Sequence, residues 1–472
     1  MTAYYVAPDG VDSNTGGVSD PFASFARAQA AMQASSTKTT YIRAGVYANA
    51  SLTLVAADSG ETWSYYPPDG VDSAVLDGGA SGANTGGNLI TILGASNVTI
   101  NGLTLQNFRE WGIGIHGGAY DAAAGYPYSV GTADQVTVVN NVFNNGYTTA
   151  NSGWAGGALW ADGQVTHLTI DHNAASNQYG SCYRVGADGD GGQPNDNISN
   201  LTISNNVCLN SDETTGDNGA IYVQDQTLDL TGTNQSTNIK ILNNFVRDYQ
   251  CAAGTTALTC GAYGGDGGAS GNNPNRGVGI YLDRGAANVT VTGNVIANSA
   301  NTFAVSGPTS STTAIFMGSS QNNQITGNLI DLGNNGWICD VVYEKYDSGD
   351  ANTGNVITGN LFIGNWSGNQ SSGALGVLNL AFPAGGSSPS APQLANNLYY
   401  NYGSGGLSTR GNSFADASPV TGKDPLISGW TYQLADDSPA YSAPVAFTPI
   451  VGGWGPPGYS IPQNGTAPSS PH

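Results

Sequence analysis

The sequence predicts an all-β chain wound as a single-stranded right-handed parallel β-helix, with a capping helix at its N-terminal end. Three observations predict it. A strand-and-turn motif recurs along most of the chain, each recurrence ends on an asparagine, and the composition leaves little material for helices. The 472 residues include 68 Gly and 21 Pro, and only 10% are charged. Glycine at about twice its usual ~7%, with so few charges, argues against coiled coils and helical solenoids.

Residues 1–45 read as an N-terminal strand followed by the cap. The opening, Met1 to Val6, has no charged region and no long apolar run, so it reads as a mature N-terminus carrying an added Met, without its signal peptide. Pro21 to Met32 is the one clear amphipathic helical run, and Ser19 or Asp20 is placed to cap it. A helix there would plug the open coil and protect its first strand edge. Tyr41 to Tyr47 then reads as the first coil strand.

Residues 46–455 carry the repeats. Asn97-Val-Thr-Ile-Asn-Gly recurs as Gln135-Val-Thr-Val-Val-Asn-Asn, His167-Leu-Thr-Ile-Asp-His-Asn and Asn200-Leu-Thr-Ile-Ser-Asn-Asn. It returns at Asn238, Asn288, Asn323 and Asn355. The closing asparagines fall at Asn173, Asn206, Asn244, Asn294, Asn328 and Asn360, mostly 32 to 38 residues apart and once 50. That period allows one to three short strands per turn and no helix. It is too long for a left-handed hexapeptide helix, and hairpin signals for a propeller are few. In each Gly-Asn or Asn-Asn pair the first residue suits a left-handed turn. The second is expected to stack in an asparagine ladder, each amide bonding the next. The long interval marks an excursion over 248–276; past 362 the coils become irregular, and 456–472 reads as a flexible tail.

Charge narrows the function. Asp and Glu number 33 against 12 Lys and Arg, a net charge of −21, so no basic patch exists for nucleic acid or an anionic membrane surface. No apolar run is long enough to span a bilayer. Five cysteines (Cys182, Cys208, Cys251, Cys260, Cys339) leave one over if paired, and Cys251–Cys260 is the pair that a small loop would close. Scarce lysine, abundant Ser, Thr and Asn, and several Asn-x-Ser/Thr sites fit a secreted protein, extracellular or periplasmic.

Tyr4-Tyr-Val-Ala-Pro-Asp-Gly-Val-Asp-Ser-Asn-Thr-Gly, followed by Asp20-Pro-Phe-Ala-Ser-Phe-Ala-Arg-Ala, resembles the opening of secreted pectate-lyase-like β-helix enzymes. β-Helix xylosidases, related glycoside hydrolases and some pectate lyases begin this way. The resemblance runs from the opening motif through the repeats to about residue 362. It implies the pectate-lyase-like fold and a carbohydrate substrate, and leaves the reaction open.

Stacked outward faces of such strands form a long groove suited to a polysaccharide. Aligning Ala158–Asp162, Ala220–Asp225, Gly279–Arg284, Ala314–Gly318 and Val341–Lys345 places Trp160, Tyr222, Tyr281, Phe316 and Tyr343 on one face. Asp162, Asp225, Asp283, Glu344, Arg184, Arg284 and Lys345 lie beside them. Aromatic faces stack on sugar rings, and carboxylates supply acid, base or nucleophile. The catalytic candidates are Asp283, paired with Asp225 or Glu344. The substrate-binding candidates are Trp160, Asp162, Arg184, Tyr222, Tyr281, Arg284, Phe316 and Lys345. The competing reading is an internal aromatic stack with ordinary surface charge. His172 sits where other coils carry Gly or Asn, which favours a turn role over an acid–base role oriented by Asp171.

The Asp-rich stretches Arg184–Gly192 and Asp212–Asp217 match no calcium-loop spacing and read as solvated loops; no metal site is assigned, and calcium is the one ion left open. The leading expectation is a glycoside hydrolase acting on a neutral or weakly charged polysaccharide or oligosaccharide, without a cofactor. A calcium-dependent uronate lyase is the alternative, although the calcium-binding Asp cluster of the pectate lyases is not found. A C5-epimerase lacks its Asp-Pro-His-Asp signature here. A glycan-binding adhesin would carry the aromatics without a close carboxylate pair. Subunit number stays open between monomer and trimer.

Overall fold

A computed structural model describes residues 2–71, 73–79, 87–118, 130–146, 156–187, 197–211, 218–225, 237–249, 276–283, 285–297, 311–331, 339–344, 352–363, 378–381, 390, 392–400, 416–429 and 431–463. The chain winds as a right-handed parallel β-helix of three sheets. One turn runs through a strand of each sheet in succession. Tyr183–Ala187, Asn197–Ser204 and Val207–Ser211 make one turn; Gly219–Asp225, Thr237–Leu242 and Phe245–Tyr249 make the next. The first sheet, here the groove sheet, stacks Leu52–Val55, Ile90–Leu93, Trp111–Gly117, Gly157–Thr166, Tyr183–Ala187, Gly219–Asp225, Arg276–Leu282, Ser311–Gly318, Cys339–Glu344 and Leu378–Ala381, all parallel. It runs on into the second sheet through Gly157–Thr166, which pairs in both. Twelve strands make the third.

The core follows from alternation. In the groove sheet, Ile113, Leu159, Tyr183, Ile221, Ile280 and Ile315 share one inward row, and Ile115, Ala161, Val185, Val223, Leu282 and Met317 share the other. All are buried, and they meet the inward residues of the other sheets, such as Ile170, Ile203, Ile241 and Val291.

Asparagines form the corner between the second and third sheets. Asn141, Asn173, Asn206, Asn244, Asn294, Asn328, Asn360 and Asn397 each give their side-chain amide to the next along the ladder, and Asn397 gives its own to Asp416. The residues before them take the left-handed turn, among them Asn140, His172, Asn205, Asn243 and Gly293 at φ 58°, 51°, 55°, 50° and 71°. His172 is therefore a turn residue, and its Nδ1 lies 2.6 Å from Asp171 Oδ2.

The ends differ from expectation in detail. The capping helix spans Phe25–Gln33, with Ser24 rather than Ser19 or Asp20 as its N-cap. Pro21 and Phe22 belong to an extended stretch, because Phe22 bridges to Val6 and buries its ring beneath the first coil. Asp12 bonds Ser24 and fixes the cap, while Asp20 closes a separate turn with Thr15. Coils continue past 362 through Leu378–Ala381, Gln393–Ala395, Leu398–Tyr400 and Val420–Thr421. The chain then turns back along the outside of the third sheet, where Val445, Phe447, Ile450 and Trp454 cover Val207, Phe245, Val295 and Leu329. The expected tail begins later than 456, since Tyr459 and Ile461 join this cluster and Pro462 O accepts from Arg247. Among the described residues a disulfide joins Cys182 and Cys208, buried across one coil. Cys251 and Cys260 lie outside the described residues.

Candidate functional site

Strand register defines two rows of positions along the groove sheet, alternating with the inward apolar rows. The first runs Gly114, Trp160, Arg184, Tyr222, Tyr281, Phe316, Val342 on successive strands. The second lies two residues further along each strand. It runs His116, Asp162, Gly186, Gln224, Asp283, Gly318, Glu344, with Asp283 continuing the ladder through its amide to Val223 O. Six of the expected binding residues thus share one row or the next: Trp160, Arg184, Tyr222, Tyr281 and Phe316 in the first, and Asp162 in the second. Asp283 and Glu344 stand in that second row too.

Two register expectations are corrected. Asp225 pairs with Ala187, one step beyond the Gly186–Gln224 pair, so alternation puts it out of the row that holds Asp283. Tyr343 pairs with Met317 of the inward row, and Val342 follows Phe316 on the outward row. In both strands the inward apolar row, not the residue type, fixes the register. Arg284 and Lys345 lie outside the described residues.

The first row is packed against itself. Tyr222 and Tyr281 stack at 4.8 Å between ring centroids, and Tyr281 meets Phe316 at 4.7 Å. Arg184 lies between aromatic rings, 4.9 Å from the Tyr222 centroid and 5.9 Å from that of Trp160, and donates to Gln224 Oε1 at 2.9 Å. Tyr222, Phe316 and Arg184 are no more than 2% exposed. In this arrangement the rings face one another.

Two polar pairs mark the second row. The Tyr222 hydroxyl donates to Asp283 Oδ2 at 2.5 Å, tying one row to the other across a rung. At the N-terminal end His116 Nδ1 lies 2.5 Å from Asp162 Oδ1, and the Trp160 ring meets the imidazole edge-on at 5.3 Å. Asp162 is fully buried, whereas the His116 side chain is 13% exposed. Sequence reasoning missed His116, although the signal was there. In Trp111-Gly-Ile-Gly-Ile-His116 the histidine stands two residues after Gly114, as Asp162 stands two after Trp160.

Rung spacing sets what these groups can share. Parallel strands lie about 4.8 Å apart, so Asp162 and Asp283, three rungs apart, are separated by about 14 Å. They are too far apart to serve one bond. Asp283 and Glu344 are two rungs apart, about 9.6 Å between backbone positions. Among the described residues no group of three or more His, Cys, Asp or Glu is placed to hold a metal ion, and no helix is long and apolar enough to cross a membrane.

No protein-family model and no curated protein matches the chain. Solved structures align along most of it. The A-module of a mannuronan C-5 epimerase of Azotobacter vinelandii is 15% identical over 84% of this chain and 92% of its own, with a TM-score of 0.45. A surface protein and adhesin of Streptococcus pneumoniae is 11% identical over 84% and 91%, with a TM-score of 0.49. A lacto-N-biosidase from Eubacterium ramulus is 10% identical over 89% and 67%, with a TM-score of 0.42. These likenesses concern the path of the backbone.

Proposed function

We propose that the chain is a glycoside hydrolase that binds a neutral or weakly charged glycan along the groove sheet and cleaves it with Asp283 and Glu344. The observation that carries this reading is the rung between them. Gly318 occupies that rung, so two carboxylate positions share a row with no side chain between. From backbone positions about 9.6 Å apart, an Asp and a Glu can bring their carboxyls to the roughly 6.5–9.5 Å that leaves room for a water. That is the inverting arrangement: one carboxylic acid protonates the leaving oxygen while the other activates water on the opposite face of the sugar. The Tyr222 hydroxyl, donating to Asp283 Oδ2, holds that carboxylate in place. The net charge of −21 disfavours a polyanionic substrate. We place the enzyme outside the reducing cytoplasm, a reading supported by the buried Cys182–Cys208 disulfide.

The test is a panel of neutral and uronate polysaccharides, with and without EDTA, followed by NMR of the first-formed anomer. Expected are new reducing ends of inverted configuration, reduced at least a hundredfold in Asp283→Asn and Glu344→Gln. Unsaturated uronate products that vanish with EDTA would instead mean a calcium-dependent lyase. Activity that survives both substitutions would overturn the assignment of the pair.

A further inference from the structure

The second sheet turns a face to solvent that the groove reading does not use. Its inward row, from Thr40 and Trp63 to Ile170 and Ile203, is buried. One residue before each member of that row stands a threonine: Thr39, Thr62, Thr99, Thr137, Thr169 and Thr202 occupy six consecutive rungs. Alternation turns all six outward, and each is half-buried. Their hydroxyls have no hydrogen-bond partner among the described residues, and none is sealed from solvent. At about 4.8 Å per rung the row is about 24 Å long. Lys240 takes the seventh rung and ends it.

At its N-terminal end the row stops beside aromatic rings. Tyr41 stands two residues after Thr39, on the same face, and pairs with Tyr5 of the strand before. The Tyr5 and Tyr41 centroids are 5.6 Å apart, and the Tyr66 ring meets the two edge-on at 5.3 and 5.8 Å. All three tyrosines are half-buried, and their hydroxyls too have no partner among the described residues. In the groove sheet, by contrast, Tyr222 and Phe316 are 1% exposed. The charge beside the three rings is spent within the protein: Arg43 lies 4.8 Å from the Tyr66 centroid, and its Nε donates to Asp69 Oδ2 at 2.8 Å. The chemistry of this face selects its occupant. Tyrosine offers a flat apolar ring with a polar tip, and a threonine hydroxyl both donates and accepts. A sugar presents C–H faces to the one and hydroxyls to the other. A polyanion meets a net charge of −21 and no cation along the six threonines. A protein partner needs an apolar centre, and in the neighbouring outward row (Tyr41, Ser64, Asn101, Val139, Asp171, Ser204) Val139 is the one aliphatic residue.

We propose that this face is a second glycan-binding surface, on which one extended neutral polysaccharide chain lies along the threonine row and stacks a sugar ring on the ledge of Tyr5, Tyr41 and Tyr66. This proposal rests on the glycan reading above but not on cleavage, because the face belongs to a different sheet from Asp283 and Glu344. It holds polymer; it does not cut it.

Native electrophoresis of the full chain through gels cast with soluble arabinoxylan, β-glucan, α-glucan or mannan, with polygalacturonate as the charged control, tests it. At least one neutral polysaccharide is expected to retard the chain, and polygalacturonate to retard it less. Tyr41→Ala removes the centre of the ledge, and Thr137→Lys raises a long side chain in the middle of the row without touching the core. Each is expected to weaken retardation at least fivefold, while cleavage of a short oligosaccharide, which cannot reach both faces, stays unchanged. Thr137→Lys keeps the test decisive if Tyr41→Ala fails to fold. No retardation by any neutral polysaccharide, stronger retardation by polygalacturonate, or wild-type retardation in folded Thr137→Lys would overturn the surface and leave the hydrolase reading standing if cleavage is seen. Loss of self-association in these variants, with glycan affinity intact, would assign the face to a second copy of the chain and overturn it equally. A chain that binds polymer through this face but cleaves none would overturn the hydrolase reading alone.

Discussion

Asn206 makes six hydrogen bonds in one corner of the coil, one of them through its backbone carbonyl to Phe245 N at 2.8 Å. Its amide and side-chain nitrogens both donate to Asn244 Oδ1 at 3.0 Å, its Nδ2 reaches Ile170 O at 2.9 Å, and its Oδ1 accepts from Asn173 N and Nδ2 at 2.8 and 3.1 Å. Asn206→Ala leaves buried groups on both neighbouring rungs short of a partner, for a loss of about 3 kcal/mol in urea unfolding; a loss below about 1 kcal/mol would show that the ladder is decorative. The ladder ends on Asp416, whose Oδ2 accepts from Asn397 N and Nδ2 and from the Tyr399 hydroxyl. An acceptor-only carboxylate suits a last rung, where no further amide follows. Glu61, beneath the N-terminal cap, behaves differently. Burial, and then the neighbouring Asp58, push its carboxyl from 4.5 up to about 8, while the Trp63 indole donates to Oε2 at 3.0 Å. The folded chain therefore holds this proton where the unfolded chain has released it. The contribution is complete below pH 4.5 and is lost as pH rises through about 8. Thermal melts across that window should show Tm falling with pH, with a smaller fall in Glu61→Gln; identical slopes for the two proteins would exclude Glu61 as the cause.

Single elements depend on what crosses between coils. The Cys182–Cys208 bridge joins the start of one groove-sheet strand to the third sheet of the same turn, closing a separation of 26 residues. Removing it frees the unfolded chain by about 3.5 kcal/mol on the loop-entropy account, so Cys182→Ala/Cys208→Ala should unfold at lower urea with its circular dichroism unchanged. An unchanged midpoint would mean that the link restrains little. The returning C-terminal segment depends on Trp454, whose ring lies 5.1 Å from Phe245. Trp454→Ala is expected to cost about 4 kcal/mol and to increase binding of a hydrophobic dye as the third sheet is uncovered. The difference in legibility between these elements is physical. The coils repeat, so each Asn-Asn or Gly-Asn turn corroborates the others, and the ladder could be read residue by residue. The returning segment has no period: Phe447 and Trp454 acquire meaning only against Phe245 and Val207, more than 200 residues earlier. The helix starts later than its local pattern indicates because Phe22 is drawn into a strand bridge by Val6, a tertiary contact that no local pattern records. On the groove face, the two-residue step from Trp160 to Asp162 and from Tyr281 to Asp283 was legible. Asp225, three residues after Tyr222, breaks that step, and His116 follows a glycine where the aromatic pattern offers nothing to align.

At the scale of the whole molecule, stability is a sum over stacked turns, each touching mainly its neighbours. Such a stack tolerates excursions between strands, because the three-strand turn on either side of the 248–276 stretch keeps its register: Tyr222 still meets Tyr281 across it. It also concentrates charge along one long body. The chain carries a net charge of −21, and among the described residues the ion pairs formed without histidine are Arg43–Asp69 and Arg247–Asp248. With so few cations, most carboxylates face like charge, and self-repulsion opposes the folded stack more than the expanded chain. Salt shortens the reach of that repulsion from about 30 Å at 0.01 M to about 8 Å at 0.15 M. Between those two sodium chloride concentrations at pH 7, calorimetric scans should show Tm rising. Lowering the pH to 5.5 in dilute salt, short of protonating ordinary carboxylates, should leave most of that rise intact. A fall in Tm with salt would mean that the scarce cations are placed so well that their attraction outweighs the repulsion among all the rest, and would move the search for stabilising groups to Arg43, Arg184 and Arg247.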